Sequence, residues 1–212
     1  MAIASVLITK FQNMVDDALD SDYMYQLLND AKDEVEGMIA WEQMKRETTY
    51  SISAGYSYTS SAGSLPTRFA LPIRMIEDTS FLEYQKIDFD DRPNKALNSY
   101  AYFIDLNGGT LSLAGVNHSA KTMYFYYTAY SADLTASDSW GFPSRFHSIL
   151  PLKMAELYYA SDAGEKGRSW DDRWSAQFER ELARMYAWND QLKLANRKSR
   201  NISRTLSPKA VY

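Results

Sequence analysis

The spacing of the hydrophobic residues changes twice along the chain, and this constrains the fold more than any single motif. Residues 4–17 and 22–46 place apolar side chains three or four positions apart, which predicts two amphipathic helices. Residues 47–143 lose this period, and helical spacing returns over about 144–161 and 169–195. Two helices, a β-prone middle and two more helices predict a helical bundle with inserted β structure, not an alternating α/β chain.

The middle of the chain carries the clearest strand signals. Residues 122–130, TMYFYYTAY, are the most β-prone run and predict a central strand. The Asn107-Gly108-Gly109 tripeptide between two apolar runs predicts a hairpin. Pro72 interrupts another run, which favours an edge strand or a bulge, and alternating residues around Gly55 suit two short strands.

These signals predict an α+β fold with three parts. Residues 1–46 and 144–195 would form the α-helical bundle, with two N-terminal and two C-terminal helices. Residues 47–143 would form an antiparallel β-rich insertion, and residues 196–212 an extended basic C-terminal arm. Pro151 suits only the first turn of a helix, so the third regular helix should begin near residue 149.

Composition excludes several classes of function. The 212 residues include no Cys and only 2 His, which argues against disulfide scaffolds, thiolate metal sites and cysteine nucleophiles. Nucleotide-binding and hydrolase motifs are absent, and no apolar run reaches the roughly 18 residues that a membrane span needs. The sequence therefore predicts no catalytic residue, no cofactor, no metal and no membrane contact.

The two histidines and the acidic clusters offer weak candidates for chemistry. His147 lies at a helix start, where a structural or capping role is the better interpretation, and His118 is expected in a loop. Asp88, Asp90 and Asp91 lack the glycine turn and distal glutamate of a calcium loop, so a solvated acidic loop is predicted there.

Tyrosine is the overrepresented residue, with 16 copies in a chain that is 14% aromatic. Tyrosine suits interfaces because it combines a large contact area, few rotamers and one polar tip. Residues 47–64 are rich in Ser, Gly and Tyr, too polar to build a core of their own. We expect three of their tyrosines to lie in an interface with another subunit or another protein: Tyr50, Tyr56 and Tyr58.

Charge is distributed unevenly along the chain. The net charge is −4, but the residues after Asp190 include six cations and no acid, which leaves −10 on the rest. A basic tail on an acidic body suggests a separate partner for the tail. Pro208 forbids an unbroken helix, and apolar residues recur every four or five positions, so extended docking is predicted. The proposed contacts are Arg197, Lys198, Arg200, Ile202, Arg204, Leu206, Lys209, Val211 and Tyr212.

The order of several short motifs resembles the head-to-tail connector adaptors of tailed bacteriophages, the ring proteins that bind beneath the portal. Each motif alone is weak, but their order extends over most of the chain. They are the paired N-terminal helices that end in Trp41, Leu65-Pro66-x-x-Phe69, the hairpin over 102–113, the Tyr124–Tyr130 stretch before Leu134, Phe142-Pro143-x-x-Phe146-x-x-Ile149-Leu150 with Ala155–Tyr159, and Trp174-x-x-x-Phe178-x-x-x-Leu182.

The resemblance implies a non-enzymatic virion protein of the phage neck, between capsid and tail. It implies a homo-oligomeric ring of twelve copies, assembled in the host cytoplasm, that joins the portal to a stopper or tail (nozzle) protein. DNA would pass through the channel without sequence-specific contact. A C-terminal arm often reaches onto the portal in this family, and the basic segment 196–212 suits that role.

Two other classes of function compete with the ring adaptor. A nucleic-acid-binding protein could use the basic tail, although the acidic body would repel phosphate. A carboxylate-based polymer hydrolase is the weaker alternative, because no pair of Asp or Glu can be assigned to one site.

Overall fold

The computed structural model describes residues 3–15, 18–54, 59–94, 100–114, 119–160 and 172–205. These residues form two compact units. The helical unit comprises Met1–Met38 with Ser131–Tyr212, and the β unit comprises Ile39–Tyr130. The fold is therefore mixed α/β, and the predicted helical bundle with an inserted antiparallel β region is wrong.

The described residues of the helical unit include four α-helices, and local sequence explains several of their ends. Asp20 caps the second helix by accepting hydrogen bonds from the backbone N–H groups of Asp22 and Tyr23. Pro151 lies in the first turn of the third helix, as predicted. The helices are α1 (Ala4–Val15), α2 (Ser21–Gly37), α3 (Ile149–Ala160) and α4 (Asp172–Thr205).

The third helix lies at the centre of this unit. Its apolar residues are distributed around the helix, and eight of its twelve residues are buried. A helix that is apolar all round needs neighbours on several sides, and α3 contacts α1, α2 and α4. Phe11 of α1 meets Tyr158 of α3 edge to face, with ring centroids 6.0 Å apart.

The β unit contains one seven-stranded sheet in the order β1-β7-β3-β4-β5-β6-β2. The first and last strands of that order approach each other, so the sheet is nearly closed. The predicted central strand is β7, which pairs with both β1 and β3. The strands are β1 (Lys45–Ile52), β2 (Thr59–Ser64), β3 (Phe69–Glu77), β4 (Glu83–Lys86), β5 (Ala101–Asp105), β6 (Thr110–Ala114) and β7 (Lys121–Ala129).

Two details correct the prediction of an antiparallel region. The β4 and β5 strands pair in parallel, and the chain between them includes a 3₁₀ helix, Phe89–Asn94. A parallel pair needs such a long connection because a tight turn can join only antiparallel neighbours. Pro72 lies in an interior strand, not an edge strand, and the register of β3 shifts around it, which confirms the predicted bulge.

Aromatic side chains make up five of the ten buried residues in the main described core cluster of the β unit. Phe125 is fully buried, and its ring lies about 6 Å from those of Tyr50, Phe69, Tyr102 and Tyr127. The predicted hairpin joins β5 and β6. Its turn contains Gly109, whose φ of 60° favours glycine.

Candidate interaction surfaces

The C-terminal end of the chain is helical over a longer stretch than predicted. Helix α4 continues to Thr205, so residues 196–205 are not extended. Residues 194–197 are exposed, and Leu194 exposes 57% of its surface. Arg197 is therefore accessible. The backbone of α4 also includes Lys198, Arg200, Ile202 and Arg204, whereas Leu206, Lys209, Val211 and Tyr212 lie outside the described residues.

The prediction of an extended arm was wrong over residues 196–205, although local signals favoured an extended chain there. Pro208 breaks a helix only near its own position, and residues 196–205 contain no proline or glycine. A helix already begun upstream can continue through such a segment, since adding one residue costs far less than starting a new helix.

Tyr50 lies inside the β unit. Its ring is 9% exposed, and its hydroxyl donates a hydrogen bond to the backbone oxygen of Ser64 at 2.8 Å. Burial and the neighbouring Tyr127 raise the pKa of Tyr50. Tyr56 and Tyr58 lie outside the described residues, so the interface role of this tyrosine group stays a prediction.

A buried polar cluster fixes a non-helical segment of the helical unit. Lys32 and Glu36 of α2 have no exposed side-chain surface. The Glu36 carboxylate accepts hydrogen bonds from the Trp140 indole at 2.7 Å, the Ser131 backbone N–H at 2.8 Å and the Ser131 hydroxyl at 2.6 Å. Lys32 donates to the Ser131 carbonyl at 3.2 Å and also pairs with Asp33.

One turn earlier on α2, Asn29 extends this attachment. Its side-chain oxygen accepts from the Leu134 N–H at 2.7 Å, and its side-chain nitrogen donates to the Leu134 carbonyl at 3.3 Å. Three polar side chains of one helix thus hold residues 131–140, although sequence reasoning had assigned this helix only an apolar core face. Their spacing of three and four residues, which places them on one face, was the available signal.

His147 has the structural role that its position predicted. The side chain is 2% exposed, and Nε2 lies 2.7 Å from the carbonyl oxygen of Phe142. The contact holds the turn before α3, in which Phe142 and Trp140 pack with ring centroids 4.3 Å apart.

A groove lies between α2 and α3, and sequence reasoning missed it. Its volume is about 480 Å³. Tyr23, Leu27 and Leu157 supply its apolar surface. The remaining lining residues are polar or acidic: Gln26, Asp30, Asp33 and Glu34.

The acidic residues of this groove differ in whether a cation pairs with them. Asp33 pairs with Lys32, and Glu34 pairs with Lys153 at 2.6 Å. Asp30 has no cationic partner among the residues described. Burial raises the pKa of Asp30, and repulsion from the nearby carboxylates of Asp33 and Glu34 raises it further. The groove therefore retains an excess of negative charge next to apolar surface.

The β unit exposes large apolar side chains at two of its turns. Phe81 and Leu82 lie between β3 and β4, and Leu106 lies at the start of the β5–β6 turn. Phe81 is 77% exposed and has a φ of 55°, a conformation that bulky residues rarely adopt.

The described residues contain no group of three or more His, Cys, Asp or Glu positioned to hold a metal ion. Within the same part of the chain, no helix combines the length and the apolar character needed to cross a membrane.

Comparison with protein families bears directly on the predicted resemblance. A family model described as SU10 adaptor protein matches residues 3–205, which include both units. The chain belongs to the SU10 adaptor protein family. This is a family of phage adaptors, structural proteins of the virion neck that contact other head and tail proteins. A search of the curated proteins found no match.

Membership of the SU10 adaptor protein family confirms the phage-adaptor part of the prediction, while the head-to-tail connector description is more specific than the family itself. An adaptor contacts other proteins through its exposed surfaces. The exposed end of α4, the α2–α3 groove and the apolar turns of the β unit are therefore the candidate contact surfaces.

Proposed function

We propose that this chain is one subunit of a ring in the neck of a tailed phage, joining the portal to the next stopper or tail protein. The observation that carries this proposal is the family match over residues 3–205. The earlier resemblance favours twelve copies, assembled in the host cytoplasm. A ring placed there continues the channel through which DNA passes.

Residues 196–212 are the proposed attachment to the portal. Six cations and no acid follow Asp190, and the exposed residues 194–197 begin this basic stretch. The surface that receives it should be acidic, because complementary charge guides association and fixes register. Attachment starts from the helical end of α4 and continues into residues 206–212.

The β1–β2 connection is the proposed contact with a neighbouring subunit or with the tail component. Tyr50 holds the base of this connection through its hydrogen bond to Ser64. Tyr56 and Tyr58 lie farther along the connection and are the proposed contact residues.

The charge of the body supports passage of DNA without specific contact. The chain up to Asp190 carries a net charge of −10. A body with this net charge repels phosphate and therefore disfavours retention of the nucleic acid.

Reversing two charges in the C-terminal segment tests the attachment. The variant Arg200→Glu with Arg204→Glu should bind purified portal about tenfold more weakly. The matched control, Lys10→Glu with Arg180→Glu, makes the same change in net charge at exposed positions of α1 and α4. Binding would be measured at two salt concentrations, and ring formation on the portal by negative-stain microscopy.

Three results would decide the proposal. Loss of binding in the α4 variant alone, with rings of wild-type protein visible on the portal, supports it. Equal losses in both variants would show a general charge effect and remove the assigned attachment site. Failure of the wild-type chain to bind portal or enter particles would overturn the adaptor function in this position.

A further inference from the structure

The helical unit carries two exposed surfaces of opposite character. The α2–α3 groove has apolar walls and an acidic rim. The end of α4 presents Leu194 and Arg197, three residues apart and both exposed. Side chains at this spacing share one face of a helix, so an apolar anchor and a cation point in similar directions.

Ion pairing leaves charge over on each surface. In the groove, Lys32 is shared between Asp33 and Glu36, Lys153 is shared between Glu34 and Glu156, and Asp30 has no cationic partner among the described residues. On α4, Lys193 pairs with Asp190 at 2.9 Å, whereas Arg197 has no acidic partner within the described part of the chain. A lone carboxylate and a lone guanidinium are complementary.

The apolar residue and the charged residue are separated by the same number of positions on both surfaces. Leu27 and Asp30 are three residues apart on α2, as Leu194 and Arg197 are on α4. The groove volume of about 480 Å³ has room for a leucine side chain together with a guanidinium. Recognition of a helix through apolar anchors at this spacing is a common mode of binding in a groove.

We propose that the end of α4 of one copy docks in the α2–α3 groove of a second copy, with Leu194 against Leu27 and Leu157 and Arg197 paired with Asp30. The groove and the α4 end are both exposed within a single copy, so a second copy can occupy the groove. Contacts between two different surfaces are heterologous and close into a ring when the rotation between subunits permits.

This contact rests on the proposed ring and adds to it a specific subunit interface. It also assigns Arg197 to the neighbouring subunit and no longer to the portal, so the portal attachment narrows to residues 198–212, which continue from the docked helix end. Each arm would then be oriented by the next copy before it reaches the portal.

Engineered cysteines give a direct test, because the chain contains no cysteine of its own. Full-length Asp30→Cys and Arg197→Cys chains would be mixed, assembled on the portal and treated with a short bismaleimide. A covalent dimer containing one chain of each kind is expected. Glu179→Cys, at an exposed position of α4 upstream of the docking face, replaces Asp30→Cys in the control mixture and should give none.

A charge exchange provides the second measurement. Asp30→Arg and Arg197→Asp should each weaken association between copies about tenfold, and the chain with both changes should recover to within about twofold of wild type. Association would be measured by mass photometry on portal complexes. Circular dichroism would check that each variant keeps its helix content.

The outcomes separate this contact from the proposed function. Rings on the portal with the mixed cross-link and recovery in the exchange variant support the contact. Rings without the cross-link, a cross-link formed within one chain carrying both cysteines, or no recovery would overturn the contact while leaving the adaptor function intact. Absence of wild-type rings on the portal would overturn both.

Discussion

In the helical unit, Lys32 and Glu36 lie fully buried in a hydrogen-bonded cluster with Ser131 and Trp140, whereas the β unit surrounds Phe125 with four aromatic rings. The helical cluster joins α2 to the irregular segment 131–140, whose backbone also accepts hydrogen bonds from the first residues of α1. The β unit also has a polar contact, of Lys121 with Glu77 and Tyr84, but strand pairing already satisfies the backbone groups of its strands. Charge thus fixes a loop in one unit, and rings fill the space inside a sheet in the other.

The largest predicted effect concerns the charged cluster. Glu36→Ala should lower the free energy of unfolding by about 3–5 kcal/mol, because three donors lose their acceptor and the buried Lys32 keeps only Asp33 and the Ser131 carbonyl as partners. Urea denaturation followed by tryptophan fluorescence measures this loss. Glu179→Ala, at an exposed position of α4, is the control and should change stability by less than about 0.5 kcal/mol. Equal effects of the two changes would show that the cluster does not stabilise the helical unit.

The second prediction uses pH to distinguish the two interiors. Burial raises the pKa of Tyr102 in the β unit to about 12, with a smaller contribution from Glu83. The folded protein therefore favours the protonated phenol, so this contribution is complete below pH 10 and is lost between about pH 10 and 12. The loss should approach about 2 kcal/mol at pH 12.

Tyr102→Phe isolates this contribution. The variant should show a smaller fall in unfolding free energy across the same pH range than the wild type. Some fall remains because burial also raises the pKa of Tyr50 and of Tyr84. Hydrogen exchange resolved by peptide should place the difference in Ile39–Tyr130, and identical pH profiles for the two proteins would refute it.

A smaller effect is expected at the closure of the sheet. Tyr50→Phe removes the hydrogen bond to the Ser64 carbonyl but keeps the ring in the aromatic interior. The cost should be about 1–2 kcal/mol, because a partly buried acceptor loses its donor. Faster amide exchange in β1 and β2, with little change in α2, would support the assignment. Uniform acceleration across both units would contradict it.

The smallest effect separates backbone strain from packing. Gly109→Ala should cost about 1 kcal/mol, because the φ of 60° disfavours a residue with a Cβ although nothing lies within 4 Å of that atom. Gly141→Ala in the helical unit also meets no neighbour and has no such φ, so it should be nearly neutral. Thermal unfolding of the two variants compares them directly, and equal shifts would show that conformation is not the cause.

Local signals predicted much of the fold. The positions of α1, α3 and β7, the start of α2 and the Gly109 turn follow from spacing and from special residues, whereas α2 ends at Gly37 and not at the predicted residue 46. The groove could not be predicted in the same way, because Leu157 meets the α2 residues only after two distant helices pack.

The sequence by itself determined most of the segments that form helices or strands, where several of them begin, and that the C-terminal end is basic. These properties depend on neighbours within a few residues. Only the tertiary structure decided the parallel pairing of β4 with β5, the burial of Lys32 with Glu36 and the isolation of Asp30 in its groove. Those features join residues far apart in the chain, and their free energies depend on desolvation and on partners that no local pattern records.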